Sequence, residues 1–136
     1  MPVHAVESEA NATAALTRAM RETQGLKPVT IETRDLFRRP LGIAELDRYE
    51  AVVIDPPRAG AEAQMGLIAK SKVPRVISVS CHLGSFVRDA EILIKGGYRL
   101  LSVTPIDQFK HSAHIEIVGI FEKPIEKAKK TRRLLG

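Results

Sequence analysis

Three side chains in this sequence could do chemistry together: Cys81, the only cysteine, with Asp55 and Glu116. Cys81 follows Arg75-Val76-Ile77-Ser78-Val79-Ser80, a β-branched apolar run too short for a helix, so it is expected at the mouth of a loop where a buried strand ends. Asp55 stands in the same relation to Ala51-Val52-Val53-Ile54. Pro56 and Pro57 cannot continue a sheet ladder, which puts Asp55 and Arg58 in a stiff loop at a strand's carboxyl end. Glu116 interrupts an apolar strand over residues 114–121, on the face of His114, Val118 and Ile120. A carboxylate there is paired, protonated or functional, unless the strand is a solvated edge. A thiolate that attacks and a carboxylate that takes a proton are the two groups needed to add to, and later eliminate from, an electron-poor ring. The plainer alternative makes Cys81 a small buried hydrophobe.

The elements that must position these groups follow in chain order. Val3 to Val6 is a short strand closed by Glu7, with Ser8 as N-cap of a helix carrying Ala10, Ala14, Ala15, Ala19 and Met20, and Gly25 as its stop. A second strand runs from Pro28 to Thr33, ending before Asp35, and residues 36–48 form a loop with one helical turn. Residues 61–71 predict a helix with Met65, Ile68 and Ala69 inward. The helix after Cys81 turns Phe86, Ala90, Leu93 and Ile94 to one face and stops at Gly96-Gly97. Tyr98 to Val103 is a strand, and no helix separates it from the last one, so the final pair is antiparallel on an otherwise parallel sheet. The expected fold is α/β, doubly wound, with helices on both faces. In such sheets functional groups collect in the crevice at the carboxyl ends of the strands.

The totals suit one globular domain: 136 residues, 44% hydrophobic and 27% charged. A single cysteine excludes an internal disulfide and a multi-cysteine metal or iron–sulfur site. No apolar run reaches membrane-spanning length, and Met1-Pro2-Val3-His4 lacks the pattern of a signal peptide, so the cytoplasm is the expected compartment. The net charge of +5 gathers in residues 123–136, where Lys123, Lys127, Lys129, Lys130, Arg132 and Arg133 form a basic tail that is either solvated or suited to RNA phosphates. His111 and His114 lack a third ligand, so no metal site is expected. Tyr98 and Phe109 either stack on a base or pack in the core, and His82 is a proton shuttle or a bystander.

Asp55-Pro56-Pro57-Arg58-Ala59-Gly60, Ser80-Cys81, Arg88-Asp89, Gly97-Tyr98, Asp107-Gln108-Phe109 and His111-Ser112-Ala113-His114-Ile115-Glu116, taken in order, resemble the carboxyl-terminal part of the catalytic domain of RNA uracil-5-methyltransferases. The resemblance covers the chain from Glu7 to Phe121 and implies a Rossmann-like methyltransferase fold, with residues 1–122 as a partial catalytic domain. It implies that Cys81 adds to C6 of a uridine in rRNA or tRNA, that C5 receives the methyl of S-adenosylmethionine, and that Glu116 removes the C5 proton. Asp55 and Arg58 match the loop beside the target base. Glu7 matches the acidic residue that holds the cofactor's ribose hydroxyls, and Asp35 the position that adenine approaches.

The chain also departs from that pattern. The family has asparagine-proline after its cysteine where this chain has His82-Leu83, which removes a rigid turn beside the nucleophile. No G-x-G occurs among the glycines, so the turn that brings backbone close to the cofactor is missing with its strand. The sequence matches the family from strand two onward. The central strand is therefore expected to be absent, unless another chain supplies it or its neighbours pair directly. The family's amino-terminal oligonucleotide-binding domain and cysteine-ligated cluster have no counterpart here. Two functions follow: a methyltransferase catalytic part completed by an amino-terminal half, or a non-catalytic remnant acting as an oligomeric or RNA-associating module whose open sheet edges are covered by self-association.

Overall fold

The computed structural model describes residues 1–107 and 115–125. They form two compact units, residues 1–41 and the described residues from Gly42 onward.

The first unit is a parallel βαβ: β1 (Val3–Glu7), α1 (Ala10–Glu22) and β2 (Val29–Thr33). The strands pair from Val3↔Val29 to Glu7↔Thr33, and the Arg34 N–H donates to the Glu7 carbonyl at 2.9 Å, tying the two strand ends together. Buried Thr13 of α1 holds the helix to β2 through a 2.8 Å hydrogen bond between its hydroxyl and that of Thr33. The start of α1 differs from expectation. The N-cap position belongs to Glu9, not Ser8, and has no side-chain cap. Instead Glu7 Oε1 accepts from the N–H groups of Ser8 (2.8 Å) and Glu9 (3.0 Å), because a carboxylate at the turn reaches backbone donors that the helix leaves unpaired.

The second unit contains α2 (Ile43–Leu46), β3 (Ala51–Ile54), α3 (Glu62–Lys70), β4 (Arg75–Ser80), α4 (Leu83–Lys95), β5 (Arg99–Asp107) and β6 (Ile115–Glu122). The sheet order is β3-β4-β6-β5, with β3 and β4 parallel and β6 antiparallel to both its neighbours. That is the expected antiparallel ending on a parallel start. Among the described residues β1 pairs with β2 alone, in a two-stranded sheet separate from the four-stranded one.

Alternation decides what each face of the four-stranded sheet carries. Val76, Ser78 and Ser80 of β4 and Ile117, Gly119 and Phe121 of β6 are buried beneath α4, with α3 packed beside that helix. A Cβ on Gly119 would come 2.8 Å from the Phe86 ring, so glycine is what lets that ring lie on the sheet. Phe86 and Phe121 then meet with centroids 6.5 Å apart, and burying each such side chain contributes about 1.5–3 kcal/mol. Met65, Ile68, Ala69, Ala90 and Leu93 are inward as expected, whereas Ile94 is 48% exposed and lies at the margin of the apolar stripe. Ile77, Val79, Val118 and Ile120 are half-buried on the opposite face.

Two further departures concern the carboxyl-terminal part. β5 continues past Val103 through Pro105 to Asp107; it is the outer strand of the sheet, where a residue without an N–H leaves no ladder bond broken. Lys123, grouped by its charge with the basic tail, belongs to the fold. Its ammonium donates to the carbonyls of Ala69 (2.7 Å) and Ser71 (2.8 Å) at the carboxyl end of α3, where cations offset the helix dipole.

Candidate active site

Asp55 and Cys81 are each the first residue beyond a strand, Asp55 after β3 and Cys81 after β4, and these strands are adjacent and parallel. The side-chain alternation places both positions on the face of Val53, Ile77 and Val79, away from α4. Glu116 lies in β6 on the face of Val118 and Ile120, and is half-buried. The β4–β6 register runs Val79↔Val118 and Ser80↔Ile117. Cys81 and Glu116 are the residues next to that last pair, Cys81 just beyond β4 and Glu116 in β6. Cys81 is a half-buried free thiol; Asp55 and Arg58 are exposed. Asp55 and Cys81 thus follow adjacent parallel strands, and Glu116 adjoins the last β6 residue paired with β4.

The loop around Cys81 is made rigid by its neighbours. The Ser80 hydroxyl donates to the His82 carbonyl (3.1 Å) and accepts from the His82 N–H (3.4 Å). His82 is the N-cap of α4, and its Nδ1 accepts from the Ser85 N–H at 3.2 Å, which requires the neutral tautomer protonated on Nε2. An imidazole nitrogen therefore does what an asparagine amide oxygen does at an N-cap. The turn expected to be lost with the asparagine-proline pair is held in another way, with His82 Nδ1 engaged at the start of α4.

The loop carrying Asp55 and Arg58 is gripped from α4. The Ser85 hydroxyl donates to the Arg58 carbonyl (2.7 Å), Arg88 Nη2 to the Ala59 carbonyl (2.7 Å), and Asp89 Oδ2 accepts from the Ala61 N–H (2.8 Å). Gly60 turns the chain at φ +81°, and a Cβ there would lie 2.6 Å from Arg88 Nη2 and 2.7 Å from Asp89 Oδ2. Sequence reasoning noted Arg88-Asp89 only as part of a resemblance and passed over Ser85. The available signal was three polar residues at i, i+3 and i+4 on an otherwise amphipathic helix.

In the first unit Glu7 closes β1 and Asp35 follows β2 by two residues, both at carboxyl ends of parallel strands. Glu7 Oε1 is occupied by the amides named above, while Asp35 Oδ1 accepts from the Phe37 N–H (2.9 Å) and Oδ2 lies 3.7 Å from Arg38 Nε. Tyr98 is 2% exposed and packs in the core. Phe109, His111 and His114 lie outside the described residues. Among the described residues no group of three side chains could hold a metal ion, and no helix is long and apolar enough to cross a membrane.

Solved structures with a similar fold include magnesium protoporphyrin IX methyltransferase from Synechocystis, solved with SAM bound, and the N-methyltransferase NodS from Bradyrhizobium japonicum in complex with S-adenosyl-L-homocysteine. The first superposes with a TM-score of 0.63 at 13% identity over 89% of this chain and 59% of that one; the second with 0.61 at 12% over 90% and 78%. The fold is the Rossmann-like methyltransferase fold. Residues 6–124 match the family model of tRNA (uracil-5-)-methyltransferase, and the chain belongs to that family. An uncharacterized RNA methyltransferase of Brucella melitensis is 60% identical over 89% of this chain. The 23S rRNA (uracil(1939)-C(5))-methyltransferase RlmD of Dechloromonas aromatica is 38% identical over 82%. The chain spans 29% of the length of the Brucella protein and 27% of the Dechloromonas protein.

Proposed function

We propose that this chain carries the uridine-reacting half of an RNA (uracil-5-)-methyltransferase, acting on rRNA or tRNA in the cytoplasm, where a lone thiol stays reduced. What supports the reading is the β4–β6 register, which ends at Ser80↔Ile117 with Cys81 and Glu116 as the residues adjoining that pair. Cys81 Sγ adds as thiolate to C6 of the uracil, the C5–C6 π pair moves toward C5 and the C4 carbonyl, and C5 becomes a nucleophilic carbon. S-adenosylmethionine, when bound, supplies an electrophilic methyl from its sulfonium sulfur. Glu116 then takes the C5 proton, the C5–C6 double bond re-forms, and the Sγ–C6 bond breaks; such a proton transfer contributes on the order of 10²–10⁴-fold. The Asp55 carboxylate accepts a hydrogen bond from the uracil imide, and Arg58 steadies the ring beside it.

Glu7 and Asp35 hold the ribose and adenine of the cofactor in this reading. The remaining cofactor contacts come from an amino-terminal part such as the relatives possess. The test is methyl transfer to an RNA transcript by this chain supplied with that part of a relative, followed by nucleoside analysis. We expect 5-methyluridine; transfer to another base, or to a ribose, would contradict the reading.

A further inference from the structure

From the three contacts between α4 and the loop 55–60, and on the proposed reading of the site, we infer that Ser85, Arg88 and Asp89 are positioning residues that fix Arg58 relative to Cys81. Each holds a different backbone group: Ser85 the carbonyl of Arg58, Arg88 that of Ala59, and Asp89 the N–H of Ala61, at 2.7, 2.7 and 2.8 Å. The spacing i, i+3, i+4 puts all three on one side of the first two turns of the helix.

Two of the three anchors are buried, while Arg88 is 42% exposed. Ser85 is 7% and Asp89 3% exposed. Asp89 Oδ1 also accepts from Arg88 Nη2 at 3.2 Å, so the carboxylate is paired with a guanidinium as well as an amide. The Gly60 N–H donates to the Pro57 carbonyl at 2.8 Å, which closes the turn that the two prolines begin. The loop is thus tied to α4 at three backbone positions and to itself at Gly60.

Ser85 links this loop to the nucleophile. Its N–H is capped by His82 Nδ1 and its hydroxyl donates to the Arg58 carbonyl. The residue that anchors Arg58 therefore lies in the first turn of the helix that Cys81 leads into. A displacement of the Cys81 loop and a displacement of Arg58 share one hinge.

The rates of Cys81 alkylation by iodoacetate and iodoacetamide, compared in the full chain, report this arrangement. A guanidinium near the thiol favours the anionic reagent. Arg58→Gln should abolish that preference. Ser85→Ala and Asp89→Ala should lose most of it while Arg58 is still present, and Ser85→Thr, which keeps the hydroxyl, should retain it. Loss of thermal stability without any change in the reagent preference in both Ser85→Ala and Asp89→Ala would overturn the positioning role and leave the site reading standing. A preference unchanged in Arg58→Gln as well would contradict the shared site itself, and the inference with it.

Discussion

Lys123 lies over the ring of Tyr98, with Nζ 4.6 Å from the ring centroid. The tyrosine hydroxyl donates to the Val73 carbonyl at 2.6 Å, and the lysine holds the last carbonyls of α3. Tyr98→Phe leaves buried acceptors without their donor and should cost about 1–2 kcal/mol.

The same pair gives the alkaline behaviour a sign. Burial raises the Tyr98 pKa above its ordinary 10.0. Its contribution is whole below that value and is lost as pH rises through the higher folded one, because the unfolded chain gives up the proton first. Burial lowers the Lys123 pKa below 10.5, so its part runs the other way, with stability recovering as pH rises through that interval. Urea unfolding between about pH 8 and 11 should show a falling limb that Tyr98→Phe removes. A limb of equal slope in both proteins would refute the assignment.

His82 should be replaceable by another N-cap. His82→Ala is expected to destabilise by about 1 kcal/mol, and His82→Asn by less than about 0.5 kcal/mol. Equal stability of all three proteins would show that the ring nitrogen is not capping α4.

Cofactor binding by the isolated chain should be poor. With Glu7 and Asp35 present and no glycine turn, calorimetry should find no saturable binding of S-adenosylmethionine tighter than roughly 0.1 mM. A low-micromolar dissociation constant that Glu7→Gln weakens would mean that this chain contains a backbone cradle of its own.

The strands bearing Asp55 and Cys81 were legible because four to six consecutive apolar or β-branched residues ended by prolines or a polar loop admit little else. Cys81 and Glu116 could be grouped from residue type and strand position, but the β4–β6 pairing could not, since register depends on which strands become neighbours. Lys123 was not legible: in sequence it heads a run of lysines, and only the carboxyl end of α3, folded against it, makes it a cap. Nor was the grip of Ser85, Arg88 and Asp89 on the loop, because their partners are backbone groups 27 to 29 residues away in sequence. The extension of β5 through Pro105 was hidden by a residue that breaks inner strands and is tolerated on outer ones.

The central claim is that Cys81 attacks and Glu116 releases. Its most direct measurement is covalent trapping on RNA by this chain completed with the amino-terminal part of a relative, read on a denaturing gel and by mass spectrometry. With RNA containing 5-fluorouridine, whose C5 has no removable proton, the unmutated protein should form a stable protein–RNA adduct and Cys81→Ala none. With ordinary uridine RNA, Glu116→Gln should transfer the methyl and then stall as the same kind of adduct. Full methylation by Cys81→Ala would contradict the account.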